Sequence, residues 1–464
     1  MNYQDNTISI QIIQCGDEGM AIEIEKSVST KEIQEYRKQV VIPLMQHRGP
    51  ICEPLINVDD TVLKGQKIGD SNHDFGAKIH SSVSGHVVGL EDRIHPCCTT
   101  KPSIIIESNG TNETINFVSQ QNPSKENIFD TLKDSGIIEL NGYPVFNILN
   151  TKKTVDTILV NLTHSCDVKS NCTPENISKL ISGMKLLMKA SDAVQGAIII
   201  HKNNNQLASA IRSGLNGDNI GIISVKRNYT PLMSNLLAYD VTGMRISNRE
   251  TPAEAGVMIS SGYGTLAVND AVLEGIPPIE VNVAVSGAIG KPGIQRTEIG
   301  TSFKDVIQSS GGYMGEPAKI IMNGLLSGIA QVTDEVPVIQ STSEITVQSN
   351  DQVMRNNPGP CIHCARCVDI CPVNILPGRI ASFSDIGRYD ECSKLNVYSC
   401  VECGLCDYGC PSNRHILQLI RFARTALLKS FTIPEEKESP NLKLGCESCQ
   451  TPCHMGAISS RGGK

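Results

Sequence analysis

Residues 1–110 carry short apolar runs broken every few positions by glycine, aspartate or proline. The clearest are VVIPLMQHRGPICEPLINVDDTVLKGQKIGD (40–70) and AKIHSSVSGHVVGLE (77–91). With turns at Asp59-Asp60 and Lys64-Gly65, they predict the strands of a small β module. Residues 111–126 are polar and turn-rich and read as a linker. The pattern then changes. VDTILVNLT (155–163) reads as a buried strand, and GAIIIHK (196–202) and IGIISVK (220–226) read as further strands. Between the first two, Thr173-Pro174 opens a helix with Ile177, Leu180, Ile181, Met184, Leu187 and Met188 at period 3.6. A second helix, over 204–214, separates the next pair. Strand, helix, strand, helix, strand predicts a parallel sheet in an α/β domain. Residues 281–312 hold two short strands about a Gly-Pro turn, then Gly300-Thr301-Ser302 capping an amphipathic helix. A polar stretch (340–352) follows. ILQLIRFARTALLK (416–429) predicts a last helix, with Ile416, Leu419, Ile420, Ala423, Leu427 and Leu428 on its apolar face. Such a face packs on its own domain more often than on a membrane surface.

Composition narrows the function. The chain of 464 residues has room for about three or four domains. An apolar share of 40% with 19% charged residues belongs to a folded globular protein. Its net charge of −7 argues against a nucleic-acid partner. No apolar run approaches the roughly 18 residues of a membrane span. The start, MNYQDNTISIQ, lacks the basic and apolar regions of a secretory signal, so a cytoplasmic, reducing setting is expected for the 18 cysteines.

Eight of those cysteines form two runs, CIHCARCVDICP from Cys361 and CVECGLCDYGCP from Cys400. Each is C-x2-C-x2-C-x3-C-P, the dicluster ferredoxin spacing, in which three thiolates hold one cluster and the fourth reaches the other. This assigns one 4Fe-4S cluster to Cys361, Cys364, Cys367 and Cys410, and a second to Cys400, Cys403, Cys406 and Cys371. Zinc ribbons also use C-x2-C pairs, but two complete runs each ending in Cys-Pro favour iron–sulfur ligation.

The remaining ten cysteines are less specific. Cys446, Cys449 and Cys453 precede His454 in GCESCQTPCHMG, and a redox dithiol, a third metal site and plain thiols are all compatible with that spacing. Cys97 and Cys98 are adjacent in IHPCCTT. A vicinal disulfide there is strained, so two thiols are expected, although exposed adjacent thiols can pass electrons. Cys15, Cys52, Cys166 and Cys172 read as packing residues, Cys392 is given no role, and His80 and His86 read as structural histidines.

The segments IPLMQHRGP, IHSSVSGHVV, IGTSFKDVIQSSGG, CIHCARCVDICPVNILP and LNVYSCVECGLCDYGCPSNRH resemble the RnfC component of the Rnf electron-transport complex. The resemblance implies a multidomain α/β and β fold. A barrel-sandwich hybrid β module (1–110) would be followed by an α/β domain like the NADH dehydrogenase flavin subunit (125–279). A β-grasp (SLBB-like) module (280–340), a helical dicluster ferredoxin domain (350–430) and a Cys-rich tail (431–464) would complete it. In the hybrid module Lys78 falls near the carrier-lysine position of lipoyl domains, without an attachment motif, and is read as structural. The finer resemblance is to the electron-transfer proteins associated with proline reductase.

The family's α/β domain binds FMN and NADH through a glycine-rich loop, and here the chain departs from it. DSGIIELNGYPVFNIL (134–149) keeps Gly136 and Gly142 but places Glu139 and Asn141 at glycine positions, shortens the loop, and has Ile148 where the family has lysine. His164 and Cys166 stand where carboxylates are expected. A carboxylate at Glu139 would repel a flavin phosphate, so FMN and NADH binding are expected to be lost. The resulting expectation is an electron carrier with no catalytic residue of its own. Its partners would be redox proteins: reductase subunits such as those of proline reductase, a ferredoxin or a flavoprotein. Peripheral attachment at the inner membrane face is compatible with this. The rival readings are an NADH-oxidising Rnf component, a cobalamin reductase of the diol-utilisation type, and a docking scaffold with relic clusters.

Overall fold

The structure is a computed structural model and describes residues 31–32, 39–71, 73, 75–151, 153–164, 173–215, 219–247, 250–353 and 358–431. Cys15, Cys166, Cys172 and the tail cysteines Cys446, Cys449 and Cys453 lie outside the described residues. The first strand, β1 (Lys31–Glu32), belongs to the third module below.

The N-terminal module consists of β2 (Val40–Pro43), β3 (Glu53–Pro54), β4 (Thr61–Val62), β5 (Lys67–Asp70), β6 (Ile79–His80), β7 (Gly85–His95) and β8 (Thr99–Ser108). These form one sheet of order β2-β8-β7-β4 and another of order β3-β5-β6. Val40, Ile42, Ile68, Ile79, Ile104 and Ile106 fill the core. β7 and β8 are a long antiparallel hairpin from Gly85 opposite Ser108 to His95 opposite Thr99, with an irregularity between Val87 and Gly89. The expected free linker is instead strapped down. Thr114 bridges Lys64, and Ile115 and Phe117 lie over Gly65. Its three apolar residues, Ile115, Phe117 and Val118, are too few for a sequence pattern to register.

In the α/β domain β9 (Thr157–Asn161), β10 (Gln195–His201), β11 (Ile220–Val225) and β12 (Val257–Ser261) lie in the order β11-β10-β9-β12, all parallel. The first three strands step outward in one direction and the fourth returns to the other side of β9. The reversal creates a crevice beyond the carboxyl ends of β9 and β12, where open α/β sheets bind ligands. The helix Pro174–Ser191 starts where Thr173 Oγ1 accepts the Asn176 N–H at 3.2 Å. It buries Ile177, Leu180, Ile181, Met184 and Leu187 against Ile158, Val160, Ile198 and Ile200.

The third module contains β13 (Glu280–Gly287), β14 (Gly293–Glu298), β15 (Pro317–Met322), β16 (Ile329–Gln331) and β17 (Glu344–Ser349), in a sheet of order β1-β14-β13-β17-β15-β16. Its helix Phe303–Ser309 is capped by Ser302, as the sequence predicts. Gln340 joins three modules. Its amide donates to the Gly136 carbonyl and accepts from the Ile138 N–H, both at 3.0 Å, while its backbone N–H reaches Gln46 Oε1 at 3.3 Å.

The C-terminal domain is built on the helices Pro377–Asp385, Tyr389–Lys394 and Ile416–Phe431. The last buries Ile416, Ile420, Ala423 and Leu427 in the domain core, and Leu417 beside the cavity lined by Cys371 and the second cysteine run. Leu419, expected on the apolar face, packs against this core and is partly buried. The apolar face packs within the domain, and among the described residues no helix is long and apolar enough to cross a membrane.

Candidate functional site

The two cysteine runs have the same local backbone. His363 and Ala365 in the first, and Glu402 and Gly404 in the second, all have positive φ, at the second and fourth positions after the leading cysteine. Asn374 and Asn413, each three residues past the final cysteine, repeat the match. Left-handed residues at alternate positions curl a loop so that its amides converge on the concave side. The Glu402 N–H does so, donating to Cys400 Sγ at 3.4 Å. At Gly404 the turn also requires glycine, because a Cβ would fall 2.0 Å from the Leu326 carbonyl oxygen.

Cys371, Cys400, Cys403 and Cys406 line a single cavity. Three come from one run and the fourth from the other. The short helices Arg366–Asp369 and Leu405–Tyr408, which carry Cys367 and Cys406, pack on each other. In the first run Cys367 lies within electrostatic range of Cys361 and Cys364. The Gly359 N–H donates to the Ser412 carbonyl at 2.9 Å, which brings the start of the first run beside Cys410 at the end of the second. Burial pushes the Cys400 thiol up to about 12 and raises Cys403, Cys406 and Cys367 as well. Crowded, desolvated thiols of this kind ionise when a metal supplies the positive charge. The donor set, the amide-lined loops and the four-thiol cavity all fit iron–sulfur clusters.

The two loops differ in their surroundings. Around the first, Cys364 is exposed and Ile362 is 62% exposed. In the second, Val401 and Cys403 pack against Leu159, Ile199, Tyr229 and Met233 on one face of the α/β sheet. Sequence reading also missed the charges here. Arg421 and Arg424 of the last helix turn inward onto the buried Glu402, with Arg421 Nε 2.7 Å from Oε2 and Arg424 Nη1 2.8 Å from Oε1. Burial raises the Glu402 carboxyl, but the two guanidinium groups outweigh it and hold it below the usual range. Arg424 also donates to the Cys400 carbonyl at 3.0 Å, and Arg421 to the Ser327 carbonyl at 2.7 Å. The arginines' i, i+3 spacing was the available signal.

The α/β crevice is built differently from the sequence expectation. Glu139 is buried, and its carboxylate sits at the N-terminus of the helix Gly262–Asn269, just beyond β12. It accepts Ser260 Oγ–H at 2.5 Å, Ser261 Oγ–H at 2.6 Å and the Ser261 N–H at 2.9 Å. Burial raises its pKa, and these hydrogen bonds oppose the rise. Thus Glu139 does not point at empty space awaiting a phosphate; it occupies an anion position itself. The rest of the loop docks the domains. Gly136, left-handed at the end of the helix Lys125–Ser135, lies against the Lys78 backbone. The Gly142 carbonyl accepts the Arg48 N–H, and Asn141 Oδ1 accepts the Tyr143 N–H. Lys78 pairs with Asp134 and Asp70, consistent with a structural lysine. His164 also reaches this crevice, beside Asn161 and Thr230. Among the described residues its buried Nδ1 has no partner, and burial lowers its pKa. The Glu139 carboxylate thus fills the N-terminus of the helix that follows β12.

Three family profiles match the chain in order. They are the RnfC barrel-sandwich hybrid domain over 17–111, the Nuo51 FMN-binding domain over 132–270, and the SLBB domain over 282–329. The C subunit of the Methanosarcina acetivorans ion-translocating oxidoreductase complex is 33% identical, across 86% of this chain and 94% of that protein. The C subunit of the Na(+)-translocating ferredoxin:NAD(+) oxidoreductase complex of Acetobacterium woodii is 28% identical, across 84% and 91%. Its proton-translocating counterpart from Clostridium ljungdahlii is 30% identical, across 85% and 89%. With the hybrid, α/β and SLBB modules in the same order and near-complete overlap with these relatives, the chain belongs to the RnfC family of electron-transfer proteins.

Proposed function

We propose that the protein relays single electrons between redox proteins through two 4Fe-4S clusters. Cys361, Cys364, Cys367 and Cys410 would hold one, and Cys400, Cys403, Cys406 and Cys371 the other. The observation that carries this reading is the cavity lined jointly by Cys371 and the three cysteines of the second run. When bound, the clusters supply one-electron chemistry, with potentials set by nearby charge, hydrogen bonds and exposure. The chain's own residues hold the thiolates, turn amides toward sulfur and place the second loop against the α/β sheet. The exposed first loop faces the external partner, a reductase subunit, a ferredoxin or a flavoprotein. Proline reductase is the specific partner suggested by the sequence resemblance. The carrier would work on the cytoplasmic side, attached peripherally to an ion-translocating complex of the kind the relatives' names describe.

In this reading the crevice does not take FMN, because Glu139 replaces the anion. The FMN-binding profile and the relatives named as NAD(+) oxidoreductases favour a second reading, in which this protein itself oxidises NADH. Flavin content separates the two. The ligand assignment is tested by Cys410→Ser. EPR of the anaerobically purified variant should show damage to the cluster on Cys361, Cys364 and Cys367. Selective loss of the cluster on Cys400, Cys403 and Cys406 would refute the exchange of fourth ligands.

A further inference from the structure

The tip of the β7–β8 hairpin contains a second arrangement of thiols that the cluster reading does not use. Pro96, Cys97 and Cys98 form a three-residue loop closed by the Cys98 N–H donating to the His95 carbonyl at 2.8 Å. Cys98 has a φ of 62°, a left-handed conformation disfavoured for a residue with a Cβ. His95 is buried, with Nε2 2.9 Å from the Met45 carbonyl oxygen and Nδ1 3.0 Å from Cys97 Sγ. A carbonyl only accepts, so the hydrogen sits on Nε2 and the neutral ring presents its Nδ1 lone pair to the Cys97 thiol. The Cys97 N–H approaches the same nitrogen at 3.2 Å, which fixes the ring further. Thr99 Oγ1 lies 3.1 Å from Cys97 Sγ and can donate to sulfur as negative charge develops there. A thiol beside a base whose other face is oriented by a third group is the arrangement of an activated nucleophile.

The two sulfurs are not equivalent. Cys97 is buried beside His95, whereas Cys98 is partly exposed, with its S–H donating to the Ala330 carbonyl at 3.3 Å. The segment Leu325–Ala330, which runs into β16 and meets Cys98 at Ala330, also meets the C-terminal domain, through Leu326 against Gly404 of the second cysteine run and Ser327 against Arg421 of the last helix. The hairpin tip and the cluster-binding domain therefore share one short connector.

We infer that Cys97 and Cys98 form a redox-active dithiol that exchanges with disulfides, with His95 as the proton acceptor for Cys97. Cys98, losing its proton to solvent, attacks one sulfur of a disulfide and forms a mixed disulfide, expelling the other sulfur as a thiolate. Cys97 passes its proton to His95 Nδ1 and attacks Cys98 Sγ. The second partner sulfur leaves as a thiolate, and a Cys97–Cys98 disulfide remains. Two electrons move from the pair to the substrate disulfide, and the two protons lost by the cysteines balance the two thiols formed. An external dithiol, by the reverse exchange, restores the pair. The exchange step does not depend on the clusters, so it can fail or succeed independently of the proposed function.

Oxidised glutathione is the probe, used on full-length, cluster-containing protein under anaerobic conditions, with acid quenching and peptide mass mapping. Wild type should release two glutathione thiols per pair and end with an internal disulfide in the Cys97–Cys98 peptide. Cys97→Ser should stop at a glutathionyl adduct on Cys98. His95→Gln should slow resolution of that adduct by about a hundredfold, the lower range for loss of a general base, with the adduct still forming on Cys98. Unchanged cluster absorbance checks that each variant is folded. Buried Cys52, whose S–H is held by the Ala77 carbonyl at 3.2 Å, is the unreactive reference. Modification of Cys98 no faster than Cys52, or wild-type resolution in His95→Gln, would overturn the proposal.

Discussion

Replacing Glu139 with glycine tests whether this side chain closes the flavin position. The carboxylate now receives three hydrogen bonds from Ser260 and Ser261. The two hydroxyls can turn to other acceptors, but the Ser261 N–H loses its acceptor, at a cost of about 1–3 kcal/mol. A residual cavity and the added freedom of glycine bring the destabilisation to about 2–4 kcal/mol. Against that loss, removing one negative charge about 4 Å from a phosphate relieves about 4 kcal/mol of repulsion at the effective dielectric of a protein surface. The shortened loop retains part of the barrier, so the expected gain in FMN affinity is at least about tenfold. Flavin fluorescence titration of anaerobic wild type and Glu139→Gly measures it, with Glu139→Gln as the variant that removes charge and keeps shape. If wild type binds FMN as tightly as Glu139→Gly, the carboxylate does not block the site.

Two further predictions concern buried charge. Arg424→Met leaves Glu402 with Arg421 and removes a donor to the Cys400 carbonyl, for a destabilisation of about 3 kcal/mol, near the low end for a broken buried pair. Cluster absorbance should then bleach at lower temperature than in wild type; an unchanged bleaching temperature would mean that Arg421 alone neutralises Glu402. His47, lowered by burial to about 4, accepts the Ala77 N–H on Nε2 and is neutral when folded. A histidine depressed in this way contributes stability that is present above its unfolded value of 6.5 and is lost as pH falls toward 4. The loss is about 3 kcal/mol for His47 by linkage. Hydrogen exchange at the Ala77 amide, corrected for intrinsic rates, should accelerate over that window, and His47→Gln should abolish the acceleration.

The readable parts of this protein were those whose information lies close together in the chain. The cysteine runs carry a recognisable spacing, and the strands β9 to β11 stand out as short apolar stretches. Ser302 and Thr173 announce their helices from one turn away. The hidden features depend on distant partners. Glu139 could be recognised as an intruder in a glycine loop, but the serines that satisfy it lie about 120 residues on and carry no motif. Beyond their spacing, the inward turn of Arg421 and Arg424 carries no sequence signal of its own, because Glu402, their counter-ion, sits inside a cysteine run on another element. The Cys97–Cys98 pair was visible, while the tautomer of His95 depends on the Met45 carbonyl, which no sequence pattern marks.

The central claim is a two-cluster carrier that neither holds flavin nor takes electrons from NADH. It is tested most directly by quantifying iron, labile sulfide and flavin in anaerobically purified protein, followed by reductive titration with EPR. The account predicts about eight iron and eight sulfide per chain, no flavin, two one-electron reductions by a low-potential donor, and no bleaching by NADH alone. Stoichiometric FMN with NADH-driven cluster reduction would contradict it.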